Sequence, residues 1–280
     1  VSLSDPQPFR SFDIRRVQQG NTERTLDNVA AEEPLQIRIS YRFKDQLRTE
    51  ALALTMRTPG HDRELAAGFL LTEGIIQGRS DISDIRLIGT PSDNEVLAEL
   101  QPGVDVDSWR MARSNFLGAS CGICGKRSRD ALRVAAPALG SDRLVVNHEL
   151  IRNLPNLLLA RQRGFEQTGG LHAAALVDVC GDLQFLFEDI GRHNALDKLI
   201  GHSVLQNLIP LSRSIVFLSS RSSFELIQKA AMAGVPVLAT IGGPSSLAIE
   251  AARDCGMTLI GFIRGERFNV YSGEWRIATS

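Results

Sequence analysis

Two cysteines, Cys121 and Cys124, stand in the run Gly118-Ala119-Ser120-Cys121-Gly122-Ile123-Cys124-Gly125-Lys126. Three glycines around two thiols suit neither a helix nor a strand interior and predict a mobile loop. Between Arg110 and Arg133 lie six cations (Arg110, Arg113, Lys126, Arg127, Arg129, Arg133) against one acid, Asp130. Nearby positive charge favours thiolate over thiol and so lowers a cysteine pKa. A helix beginning near Arg127 would add its positive end. An ionised thiol on such a loop serves as a nucleophile or as a carrier of sulfane sulfur. Other uses compete. A structural zinc needs two more ligands; there is no second Cys-x-x-Cys, and Cys180 and Cys255 are not spaced to supply them. A thioredoxin-like redox pair should follow a strand and start a helix, whereas this motif follows a polar segment. An inert pair would leave exposed thiols without a use. Cys180 and Cys255 themselves read as buried structural thiols.

A second chemistry is spread over four segments that follow predicted strands. They are Glu188-Asp189-Ile190-Gly191-Arg192-His193-Asn194, Ser219-Ser220-Arg221-Ser222, Ile241-Gly242-Gly243-Pro244-Ser245-Ser246 and Arg264-Gly265-Glu266-Arg267. Ligands of open α/β sheets bind beyond the carboxyl ends of the strands. Free backbone N–H groups there, with hydroxyls and guanidinium groups, suit phosphates and other anions. Ordinary turn chemistry predicts the glycine and serine but not the repeated arginine; helix caps with loop arginines are the plainer reading. His193, beside Asp189 and Arg192, is a candidate contact. His172, after Gly169 and Gly170, reads equally as a core histidine or a ligand contact. Neither Gly-x-x-x-x-Gly-Lys-Ser/Thr nor Gly-x-Gly-x-x-Gly occurs, so a bound nucleotide would need another cradle.

The elements that must position these groups fall into two halves. Residues 1–33 are polar, with little periodicity, and read as a loosely attached arm. Leu35, Ile37, Ile39, Tyr41 and Phe43 alternate with polar residues as a half-buried strand. Strands over 51–57, 85–88 and 96–100 and a helix over 62–76 complete a small α+β unit, assigned to 34–137 and ending in the Cys-x-x-Cys loop. From 138 to 280 a helix over 147–163 precedes strands at 171–179 and 183–188, joined by the hairpin turn signal Cys180-Gly181-Asp182, and a helix over 194–205. Strands at 214–218, 235–241 and 257–263 then alternate with helices at 224–233 and 246–255, and a short strand lies at 268–271. That alternation predicts βαβ crossovers and a mostly parallel sheet.

The 280 residues predict one large or two modest domains. A formal net charge of −1 argues against nucleic acid as an obligate partner. Only four cations are lysine (Lys44, Lys126, Lys198, Lys229); arginine bias, or oxyanion recognition, accounts for the rest. No apolar run is long enough for a membrane span, and Val1 to Arg10 lacks a secretory pattern. A cytoplasmic, reducing location is expected.

With these residues assembled, the chain resembles the FdhD family, the accessory sulfurtransferases of formate dehydrogenase. The resemblance rests on Ala67-Gly68-Phe69-Leu70-Leu71-Thr72-Glu73-Gly74-Ile75-Ile76, on Cys121-Gly122-Ile123-Cys124-Gly125 and on Thr168-Gly169-Gly170-Leu171-His172-Ala173-Ala174. It rests equally on Glu188 to Lys198, on Leu218-Ser219-Ser220-Arg221 and on Leu259-Ile260-Gly261-Phe262. It implies a cytidine-deaminase-like, three-layer α/β domain with a smaller N-terminal α+β domain. It implies a persulfide on Cys121, assisted or resolved by Cys124, with sulfur supplied by a cysteine desulfurase. The sulfur's destination would be the molybdenum bis(molybdopterin guanine dinucleotide) cofactor of formate dehydrogenase, with GDP as its mimic. Phe262, Ile263, Arg264, Gly265, Glu266 and Arg267 match the family's cofactor-binding segment; His172, Asp189, Arg192, His193, Ser219, Ser220 and Arg221 would complete the rim. A homodimer is also expected. Hydrolytic deamination is excluded: in His172-Ala173-Ala174 an alanine stands where the proton-moving glutamate belongs, and the Cys-x-x-Cys precedes the histidine. Two other readings remain, a cofactor-binding chaperone without sulfur chemistry and a thiol redox switch.

Overall fold

The computed structural model describes residues 8–44, 46–90, 93–106, 139 and 144–278. The Cys-x-x-Cys segment therefore lies outside the described residues, as does the boundary expected near 137.

Ile37 and Ile39 of β3 (Glu33–Phe43) face inward, as their alternation requires. β3 lies between β4 (Gln46–Arg57) and β6 (Glu95–Leu100), with β5 (Ile82–Ile88) at the far edge. One face of this sheet is covered by α1 (Asp62–Thr72), whose Leu65, Ala66 and Leu70 are fully buried. Ahead of it, residues expected to form a loose arm make a regular antiparallel ribbon, β1 (Phe9–Gln18) with β2 (Asn21–Ala30). Gln19 and Gly20 both take left-handed φ, the pattern of a two-residue hairpin turn.

The second half centres on a six-stranded sheet. Its order is β13 (Arg267–Ser272), β12 (Thr258–Arg264), β11 (Val237–Thr240), β10 (Ser214–Leu218), β8 (His172–Asp178) and β9 (Leu183–Asp189). A two-residue β7 (Val146–Asn147) pairs with β14 (Ile277–Ala278) beside it. Within the six-stranded sheet only β10, β11 and β12 run parallel, joined through α5 (Phe224–Met232) and α6 (Ser246–Asp254). The sheet expected to be mostly parallel is thus mixed within its α/β class. Short turns at 179–182 and at Gly265-Glu266 leave no room for a crossover, so β8–β9 and β12–β13 pair antiparallel. Cys180, expected to be buried, is exposed on the first of those turns; Cys255 is partly buried.

Alternate strand residues sort into two cores. Ala173, Ala175, Val177, Ile215 and Phe217 face α2 (His148–Leu159), through Ile151, Leu154 and Leu158. Ala174, Leu176, Val216 and Leu218 face α4 (Arg192–Leu205), α5 and α6. The expected helix over 147–163 ends at Leu159, and a separate α3 (Arg163–Thr168) follows. The result is three layers, helix on sheet on helix, as the family resemblance implies.

The two sheets meet through α1 and α4. Gly68 faces the Asp197 carbonyl and Gly201 faces the Glu64 carbonyl, so closely that a Cβ on either would lie under 3.0 Å from backbone. Thr72 donates to Asp197 Oδ1 (3.0 Å), and Lys229 of α5 contacts the same carboxylate (Oδ2, 2.8 Å). Gly201→Ala is expected to lose about 3 kcal/mol or more, the upper end for overpacking. Gly78→Ala, where a Cβ meets nothing within 4 Å, should stay within about 0.5 kcal/mol. Urea unfolding of the two variants checks the contrast; equal stability would show that the helices can separate.

Candidate functional site

Strand directions bring the four glycine-, serine- and arginine-bearing segments to one edge. β10, β11 and β12 are parallel, so Ser219–Arg221, Gly242–Ser245 and the end of β12 emerge together. β8 runs against β10 with Ala174 opposite Leu218, which carries His172 to that edge. β9 pairs His172 with Asp189, which adds the segment Asp189 to His193. Helices α4, α5 and α6 begin here, presenting the positive ends of their dipoles. Ser245 caps α6 by accepting from the Ala248 N–H, whereas no side chain caps α4 or α5.

Asp189, expected to touch a ligand, is instead a buried internal anchor. It is 0% exposed, and Oδ2 accepts from Lys198 Nζ (2.7 Å) and the Thr58 N–H (3.1 Å). Its Oδ1 accepts from the Gly191 N–H (2.8 Å) and from Asn194 Nδ2 (3.1 Å). Lys198 also donates to the Thr58 carbonyl (2.8 Å), and Asn194 to the Met56 carbonyl (2.7 Å). A buried carboxylate with four donors has no vacancy for a ligand; its work is to fix the turn that carries Arg192 and His193. Ser219 and Ser220 are likewise engaged: Ser219 Oγ accepts from the Ala173 N–H (2.9 Å), and Ser220 Oγ donates to the Arg221 carbonyl (3.0 Å). Ile263 is 1% exposed and belongs to the core beneath the edge, not to its surface.

What remains presented to solvent is cationic. Arg221, Arg264 and Arg267 are exposed and Arg192 half-buried, and none has a carboxylate partner among the described residues. The carboxylates nearby are already matched. Glu225 Oε2 sits 3.0 Å from His193 Nε2, and that hydrogen bond holds the Glu225 carboxyl below its usual range. Ser223 Oγ lies 3.4 Å from the same nitrogen, so this is a shared contact and not a relay through the ring. Glu266, expected among the cofactor contacts, pairs with Arg152 of α2. Burial, and then the Arg192 charge, push the His172 imidazole below its usual pKa.

At the edge a cavity of about 250 Å³ opens, lined among the described residues by Phe262, Arg264, Arg267 and Asn269. The sequence reading missed Asn269 and Glu225. Asn269 lies two residues past Arg267, the spacing that puts strand residues on one face, and this signal could have found it. Glu225 is brought in only by the first turn of α5 packing beside the His193 turn. No group of three or more His, Cys, Asp or Glu among the described residues could hold a metal ion. No helix among them is long and apolar enough to cross a membrane.

Comparison with known proteins bears on this edge. The FdhD/NarQ family model matches residues 30–278. The protein named sulfur carrier protein FdhD in Streptomyces coelicolor is 45% identical over 273 residues, covering 95% of this chain and 94% of the relative. Its namesake in Saccharolobus solfataricus is 39% identical, covering 96% and 98%. A crystal structure described as a candidate formate dehydrogenase accessory protein from Desulfotalea psychrophila superposes with a TM-score of 0.74. It is 24% identical and covers 97% of this chain and 100% of the other, a likeness of fold.

His172 should titrate below the ordinary imidazole value of about 6.5, and Arg192→Gln should raise that pKa. Because the folded-state value is the lower one, the unfolded chain takes the proton first. The stability from this group is complete above about pH 6.5 and is lost as pH falls through the folded-state value. NMR titration of the imidazole Hε1 resonance measures both; a midpoint at or above 6.5 would refute the assignment.

Proposed function

Because this chain belongs to the FdhD/NarQ family, we propose that it carries sulfur as a cysteine persulfide on Cys121 and delivers it to a molybdenum bis(molybdopterin guanine dinucleotide) cofactor held at the strand-end edge. The observation that carries the second half of this reading is the edge itself. Four arginines without a carboxylate partner among the described residues and three helix N-termini lie along it, a chemistry suited to the pyrophosphates of such a substrate. The first half rests on the cationic Cys-x-x-Cys segment and on the printed name of the relatives, sulfur carrier protein. The cofactor is cargo in this scheme; a cysteine desulfurase gives the sulfur, formate dehydrogenase receives the product, and the carrier works in the cytoplasm, as a homodimer.

The steps balance. The Cys121 thiolate attacks the outer sulfur of the donor's persulfide; one S–S bond forms, one breaks, and the donor leaves as a thiolate. Attack by the Cys124 thiolate on the inner sulfur of Cys121–S–SH then releases hydrosulfide and leaves a Cys121–Cys124 disulfide. The two electrons that reduce the sulfane sulfur come from the thiol pair, and a cellular dithiol reductant must restore it. At the edge, Arg192, Arg221, Arg264 and Arg267 hold the phosphates, while the Asp189 anchor keeps the Arg192 turn in place.

After incubation with a cysteine desulfurase and cysteine, mass spectrometry should find one added sulfur on the Cys121 peptide. Replacing both cysteines by alanine should abolish formate dehydrogenase activity in cells; full activity would overturn the carrier role. Calorimetric titration with GDP tests the edge separately. Arg264→Gln and Arg267→Gln should each weaken binding by about tenfold, a charge-assisted hydrogen bond being worth about 1.5 kcal/mol. Unaltered affinity in both variants would move the substrate elsewhere.

A further inference from the structure

Of the three helices that begin at the strand-end edge, α4 and α6 have no acidic residue in their first turns, and α5 has one, Glu225. An acid at a helix N-terminus suits the dipole, yet here it sets a carboxylate beside arginines that an incoming anion would use. α4 departs from the dipole rule in the other direction: Arg192, and His193 when protonated, put positive charge at its positive end. Violations of local rules concentrate at functional sites.

The two departures meet. His193 Nε2 lies 3.0 Å from Glu225 Oε2 and bridges the first turns of α4 and α5. Ser223, at the N-cap position of α5, makes no capping hydrogen bond, and its Oγ lies 3.4 Å from the same nitrogen. Besides His193, two cations act on the Glu225 carboxyl, Lys229 and Arg192. Lys229 is committed to Asp197 at 2.8 Å. Arg192 is therefore the cation that Glu225 would take if His193 did not hold it. The other ionisable groups around this turn are His172 of β8 and Asp189. His172 gains its proton only below the ordinary imidazole range, because of burial and the Arg192 charge, and Asp189 is engaged with Lys198. From β4, Thr55 and Met56 contact Asn194 and bring no charge.

We propose that His193 is a positioning residue whose charge keeps Glu225 off Arg192, so that the edge takes an anion when the imidazole is protonated and releases it when the imidazole is neutral. This rests on the reading of the edge as the cofactor site and adds its regulation. With the imidazolium present, Arg192, His193 and Glu225 together carry a net positive charge; without it they are neutral. The Glu225 carboxylate then competes with the ligand's phosphate for the Arg192 guanidinium. Imidazole is the side chain that ordinarily changes charge between about pH 5 and 8, so the control acts near neutrality. Competition between partly exposed charges of this kind is worth about fivefold in affinity.

The test titrates the full chain with GDP by calorimetry at about pH 6 and about pH 8. The double variant His193→Gln/Glu225→Gln lacks both charges and reports the titration of GDP itself. Beyond that baseline, the unaltered chain should bind about fivefold more tightly at the lower pH. His193→Gln alone should bind about fivefold more weakly than the unaltered chain at the lower pH and show no excess pH dependence. Removing the carboxylate as well should restore affinity to within about twofold. A double variant as weak as His193→Gln refutes the proposal, because a histidine that touches the ligand or merely supports its turn is not rescued by deleting an acid. If His193→Gln binds GDP as the unaltered chain does at both pH values, the proposal is refuted and the edge reading survives. If the unaltered chain does not bind GDP, the edge reading and the proposal fall together.

Discussion

Two helices of this chain touch backbone to backbone, and most of what the molecule can do hangs on that contact. Gly68 and Gly201 lack the Cβ atoms that would hold α1 and α4 apart. Close approach of the axes lets Thr72 reach Asp197 and lets Lys198 reach the Thr58 carbonyl. The same helix, α4, carries Arg192 and His193 at its first turn. The N-terminal sheet is thus part of the mounting of the strand-end edge. Two buried ion pairs, Asp189–Lys198 and Asp197–Lys229, lie along this seam. Desolvation consumes much of what such pairs contribute to stability, yet breaking one strands a charge at a cost of about 3–5 kcal/mol. Their effect is to permit a single register of the two halves.

The edge separates into residues that hold and residues that face outward. Ser219 and Ser220 spend their hydroxyls on backbone, and Asp189 divides its carboxylate between backbone N–H groups and the side chains of Lys198 and Asn194. The arginines are left with free donors because the nearby acids are engaged elsewhere. Glu225 is matched by His193 and Glu266 by Arg152. A site built this way needs little rearrangement to accept an anion.

Local pattern made much of this legible. The strand-end segments followed from β-branched runs alternating with helices, and their convergence needed only the parallel order of β10, β11 and β12. The first ribbon was opaque because it is not half-buried: Phe12, Val17, Leu26 and Val29 are all exposed, so no apolar face marks its period. The β8–β9 hairpin was legible in its turn residues, but the three strand-helix units were taken to set the direction of the sheet as a whole, so the antiparallel pairing of β10 with β8 and of β12 with β13 was missed. Asp189 was read as a ligand contact because its partners Thr58 and Lys198 come from another sheet and a following helix. Nothing near it in sequence announces a buried anchor.

Charge distribution reconciles an arginine-bearing edge with a nearly neutral chain. Overall, 31 basic residues face 32 acidic ones, so the molecule has no long-range pull on a polyanion. Screening confines exposed charges to about 8–10 Å at physiological salt, so only a ligand already at the edge senses its four arginines. Long nucleic acids bind through many phosphate contacts along an extended basic surface. A compact dinucleotide needs only a few contacts, provided they converge. On the proposed reading, recognition comes from geometry: from arginines with no carboxylate partner among the described residues, and from helix ends at which the one first-turn carboxylate, Glu225, is matched by His193. A chain with the same arginines scattered over its surface would have the same net charge and no such site.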